Sequence, residues 1–187
     1  MTESVRGYAT TLGALVAGAV LCLVASGMSW GEAQGSGPAP ASVTVTGGEL
    51  LPAAQAVGLL ALAAILAVHA TRRWGRRVVG GLVVVAGLTT AVWASAIARE
   101  LPSRVLQRAD VPTGAGDLTS ASGHAAGALL AIAGGVLIAA SGVAVLVKGP
   151  RWPGMGARYA RPAPERSAAS DARSAWEALD RGEDPTA

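Results

Sequence analysis

The sequence contains no phenylalanine, a single cysteine, two histidines and only 14% charged residues. One cysteine, Cys22, cannot close an internal disulfide, and no zinc-ligand spacing surrounds it, so a disulfide framework and a zinc module are both excluded. The bulky Leu21 before it spoils a lipoprotein cleavage box, which leaves Cys22 as a small packing residue. Soluble domains usually carry about a quarter charged residues. The charge here is too sparse for that class, and half the residues (51%) are hydrophobic.

Charge is also missing in long stretches. Thr11 to Met28, Pro52 to Ala70, Val78 to Ala98 and His124 to Val147 contain no Asp, Glu, Lys or Arg. Each run reaches the roughly 18 residues needed to cross the hydrocarbon layer as a helix. The expected fold class is therefore all-α: a polytopic membrane protein with four antiparallel transmembrane helices over about 11–29, 52–70, 78–98 and 124–147. Residues 1–150 form this transmembrane domain and 151–187 a cytoplasmic C-terminal tail. The first run also fits a cleaved signal peptide, but it is long for one and ends in Trp30, which suits an interfacial anchor on a retained span.

Between the second and third runs lies Thr71-Arg72-Arg73-Trp74-Gly75-Arg76-Arg77. Arg72, Arg73, Arg76 and Arg77 in one short joint read as the topology determinant, held on the cytoplasmic side. With both termini inside, that side carries Arg6, these four arginines, and Lys148, Arg151, Arg158 and Arg161, nine in all; the outer loops carry Arg99, Arg104 and Arg108. Nine against three predicts an N-in, C-in protein of the plasma membrane. The basic charge is thereby explained by orientation, and nucleic acid is not an expected partner; the lipid bilayer is.

Helices associate in lipid through close packing of small side chains. The fourth run offers Gly123, Gly127, Ala131, Gly135 and Ala139, one small residue every four, as the expected helix-packing row. Ala14, Gly18, Cys22 and Ser26, and Gly87, Ala91 and Ser95, are similar rows on the first and third. In the loops, Gly35 to Pro40 reads as linker. Val43 to Thr46 alternates like a strand but has no evident partner, so it is expected to lie extended over the bundle. Pro102 to Ala109 reads as a short amphipathic helix, and Asp110 to Ser122 has no strong pattern.

Ionisable groups within a span usually mark an ion or proton path, and these runs hold no Asp, Glu, Lys or Arg. Their absence removes the commonest signature of proton-coupled transport. His69 and His124 fall at opposite membrane faces. There is no nucleophile–base pair, no phosphate-binding glycine loop and no metal-ligand cluster. No catalytic residue, cofactor or metal is expected, and the protein is read as non-enzymatic. Trp30, Trp74, Trp93 and Trp152 suit interfacial anchoring.

In the tail, Lys148 to Arg161 is purely basic and Glu165 to Ala187 mostly acidic. Residues 171–181 place Ala172, Ala175, Trp176 and Leu179 on one helical face, with Gly182 and Pro185 as stops. A helix this short is marginal alone in water. Trp176 and Leu179 are the expected partner-docking residues, the alternative being a loosely ordered tail.

Together these stretches resemble a known family. Ser29-Trp30 closes the first span, Val43-Thr44-Val45-Thr46-Gly47 precedes the second, and Arg151 to Tyr159 (RWPGMGARY) follows the fourth. Trp176 to Thr186 (WEALDRGEDPT) completes the pattern. The chain resembles the Trp biosynthesis-associated membrane proteins, small bacterial four-span proteins associated with tryptophan operons. Ser29 stands where that family has the first tryptophan of a pair. The resemblance implies a link to tryptophan metabolism and carries no catalytic or ligand residues. The expected function is a non-enzymatic membrane accessory or scaffold with a cytoplasmic protein partner, homo-oligomerisation being compatible with it. The alternative is a small transporter or exporter of tryptophan, indole or a related aromatic solute.

Overall fold

The computed structural model describes residues 2–35, 42–71, 73–109, 118–149, 176–177 and 180. It divides into two compact units, Met1–Gly154 and Met155–Ala187. In the first, four long helices alternate in direction: α1 (Thr2–Gly27), α3 (Pro52–Ala70), α4 (Arg73–Arg99) and α6 (Ala125–Lys148). Their apolar segments, Gly7–Gly27, Pro52–Ala70, Trp74–Arg99 and Ala125–Lys148, are each long enough to span a membrane. The 19 residues of α3 rise about 28 Å, close to the hydrocarbon thickness. Leu59, Leu66, Leu82, Val85, Leu88 and Val92 remain exposed along these helices, the surface expected to meet lipid.

One end of the bundle carries the α3–α4 joint and the other carries a small folded cap. At the cap, β1 (Ser29–Gly35) is the central strand between β2 (Ser42–Thr46) and β3 (Leu118–Gly123), antiparallel to both. Gly31 pairs with Val45 on one side and Gly123 on the other. A single turn, α2 (Gly47–Leu50), and the helix α5 (Leu101–Arg108) complete the cap. Ala33, Val45 and Val105 form its small core.

The sheet corrects the expectation that Val43 to Thr46 lies unpaired and that the 110–122 stretch is patternless. β1 and β3 are rich in Gly, Ser and Ala and lack hydrophobic alternation. Their pairing comes from backbone bonds and close approach rather than from apolar side chains. At Gly31, a Cβ atom would collide with the Ser122 carbonyl and the Val105 side chain.

The joint is shorter than the 71–77 segment read from sequence. α3 ends at Ala70 and α4 starts at Arg73, so Trp74 to Arg77 form its first turns. The α5 helix matches its expectation: Leu101 and Val105 are buried while Arg104 and Arg108 are exposed.

α6 is the hub and packs most extensively against α4 and then α1, while α1 also packs against α3. Leu15, Ala19, Cys22, Ala61, Ala64, Val83 and Ile138 form the central core. Hydroxyls in the spans turn back to their own helix: Thr90 donates to Ala86 O and Ser141 to Leu137 O. Among the described residues, no buried side-chain polar atom lacks a partner.

Candidate functional site at the two ends of the bundle

The small-residue row of the fourth span resolves into two faces. Gly134 and Gly127 look toward α1 and the segment after it. A Cβ at Gly134 would meet Cys22 Sγ at 2.7 Å and Gly18 O at 2.8 Å, and one at Gly127 would run into the Trp30 indole. Gly135 and Gly142 look toward α4, where added carbons would meet Gly87 O at 2.7 Å and Val84 N at 2.8 Å respectively. Contact therefore recurs at seven-residue spacing on each face. Ala131 is buried in the cap-side core and Ala139 lies against Gly87. Gly123 is not part of this helix: it closes β3, with Leu101 beside it. The chain needs its backbone there as a strand, so α6 begins two residues later.

Trp30 corrects the interfacial-anchor reading. It is fully buried in the core with Ala25, Leu51, Ala54, Ala94, Leu101, Ala128 and Ala131. Its Nε1–H donates to Ala25 O at 2.8 Å, and its own carbonyl accepts from the His124 N–H at 2.7 Å. The register with β2 skips from Ser29 to Gly31. This irregularity accommodates Trp30 and turns it inward, as a bulge re-aims a side chain. Gly47 and Gly127 leave the room that the indole fills. Trp74 and Trp93, by contrast, are exposed.

At the joint end, Arg76 departs from the others in its cluster. It is only 5% exposed. Its Nε donates to Val68 O of α3 and its Nη1 to Gly149 O just beyond α6, each at 3.0 Å. Both carbonyls lie at helix C-termini, where backbone acceptors lack intrahelical partners and the helix dipole is negative. One guanidinium on α4 therefore ties α3 and α6 together. Nearby, His69 Nδ1 lies 2.8 Å from Ile65 O. A carbonyl only accepts, so this nitrogen carries a proton, and in the neutral ring Nε2 accepts from the Tyr8 hydroxyl of α1 at 2.6 Å. Arg77 is exposed on the first turns of α4. Arg72 and the side chain of Arg73 lie outside the described residues.

At the cap, Thr46 and Glu49 make the α2 capping box. Glu49 Oε2 accepts from Thr46 N–H at 2.6 Å and from its hydroxyl at 2.9 Å. The backbone N–H, and then the hydroxyl, hold the Glu49 carboxyl below the usual glutamate range; burial opposes them, and the Arg108 charge, the smallest contribution, assists. The Thr46-x-x-Glu49 spacing before Leu50-Leu51 is the sequence signal for this turn. Glu49, Leu50 and Pro52 face Arg104, Gln107 and Arg108 across a cleft of about 370 Å³. Arg104 is tied to Glu100 by an ion pair at 3.2 Å. In the second unit, Trp176, Glu177 and Asp180 are helical and exposed; Leu179 and most of 171–181 lie outside the described residues.

Four apolar helices, a hub of glycine contacts and a folded cap define a multi-pass α-helical membrane protein. The chain belongs to the tryptophan-associated transmembrane protein family, whose model matches residues 12–186. No curated protein and no solved structure matches it.

Proposed function

We propose that this protein is a non-enzymatic membrane scaffold or accessory factor serving tryptophan metabolism. The bundle fixes a tail on the cytoplasmic side, and Trp176 and Leu179 dock a cytoplasmic protein. The observation that carries this reading is the filled interior of the bundle. The backbones of α6, α1 and α4 meet at Gly134, Gly18, Gly135 and Gly87, where a solute path through one copy would need room. The helical, exposed Trp176 supports the tail as the docking element, since aromatic anchors dominate many interfaces.

The positive-inside rule supports cytoplasmic placement of the joint end, and hence of both termini in the plasma membrane. The tail-docking test is a photo-crosslinking amino acid at Ala178 in intact cells. A discrete protein adduct is expected, lost in Trp176→Ala and Leu179→Ala at equal expression. An adduct that persists in both variants contradicts the docking role. Tryptophan flux in proteoliposomes that depends on the protein would contradict the scaffold reading and favour the transporter.

A further inference from the structure

The cleft at the cap has a charge arrangement that the proposed scaffold role does not use. One wall is Glu49, Leu50 and Pro52, and the facing wall is Arg104, Gln107 and Arg108. Glu49 commits Oε2 to Thr46 and has its other oxygen left for a donor. Arg104 is engaged by Glu100, whereas Arg108 makes no hydrogen bond or ion pair among the described residues. Arg108 is near enough for its charge to be felt at Glu49, yet the two are not joined as an ion pair. Opposite charges on facing walls with space between them suit a molecule that carries both signs. The volume of about 370 Å³ is at the small end of ligand pockets.

We propose that this cleft binds a zwitterion, a primary ammonium and an anionic group on one small molecule. Glu49 accepts hydrogen bonds from the ammonium, Arg108 donates a charge-assisted pair to the carboxylate or phosphate, and Leu50 and Pro52 contact the adjoining apolar part. Gln107 supplies a neutral donor and acceptor beside Arg108. A cation or an anion alone would meet one like charge in the cleft, so both charges are required. Two sources share this chemistry: a free amino acid with an apolar side chain, and the headgroup of phosphatidylethanolamine.

The test uses the full chain in nanodiscs of phosphatidylglycerol, titrated with L-leucine or L-phenylalanine, in parallel with native mass spectrometry of discs containing phosphatidylethanolamine. Binding in either arm is expected, weakened about tenfold or more by Glu49→Gln and by Arg108→Gln. Glutamine at position 49 still accepts from Thr46, so the turn is retained. N-acetyl-leucine and leucine amide, each lacking one charge, should bind as weakly as the variants do. Binding in the first arm identifies a free amino acid and in the second a lipid headgroup. Absence of binding in both arms, or binding that both variants leave unchanged, overturns the proposal.

Discussion

Arg76 and Trp30 mark opposite ends of the bundle, and each is held by backbone carbonyls. For Arg76, hydrogen bonds from a charged group contribute about 1.5–3 kcal/mol each, and two carbonyls at helix ends depend on it. Arg76→Gln should lower the unfolding midpoint by several degrees in mild detergent, while Arg77→Gln, on an exposed position, should leave it nearly unchanged. Arg76→Lys should recover little, because a point charge cannot span two acceptors as a guanidinium does. Trp30→Ala should cost about 3–5 kcal/mol as a buried aromatic truncation, with Trp30→Phe intermediate because it loses the bond to Ala25. Glu49 gives a pH signature at the cap. Its folded-state pKa is lowered, so its contribution is complete above the ordinary glutamate value of about 4.3 and is lost as pH falls through the lowered value. The stability advantage of wild type over Glu49→Gln should therefore shrink as melts are taken from neutral pH into that acid range. An advantage independent of pH would contradict the capping role.

Among the elements, α6 decides the packing, and its glycines are not equivalent to others in the spans. Gly135→Leu would drive a side chain into the backbone of α4, whereas at Gly81 nothing lies within 4 Å of an added Cβ. Thermal melts should show Gly135→Leu and Gly127→Leu strongly destabilised and Gly81→Leu close to wild type; equal melts for all three would refute the hub. The spans were legible in the sequence because a 19-residue run without charge matches the hydrocarbon thickness as a helix and has no polar face to offer water. The cap was not. β1 pairs two strands with the sequence SWGEAQG, in which no alternation of apolar residues announces a strand. β3 comes from a stretch separated from β1 by two spans. Likewise, tryptophan at the end of an apolar run reads as a belt residue, and only the three-dimensional meeting of Gly47 and Gly127 around it reveals a core position. Arg76 was visible as a charge among four; that it points inward depends on where α3 and α6 end.

For the whole molecule, the joint end collects Arg6, Arg72, Arg73, Arg76, Arg77 and Lys148, while the cap end has Arg99, Arg104 and Arg108. By the positive-inside rule this asymmetry supports the proposed orientation, and both the tail-docking role and the exterior position of the zwitterion cleft depend on it. The most direct measurement is labelling of intact cells with a membrane-impermeant maleimide, using single cysteines in a Cys22→Ser background. Trp74 and Ser120 are both exposed and lie at opposite ends of the bundle. Ser120→Cys should react from outside, and Trp74→Cys should react only after the membrane is permeabilised. Labelling of Trp74→Cys from outside, with Ser120→Cys protected, would contradict this orientation and the cytoplasmic docking role that rests on it.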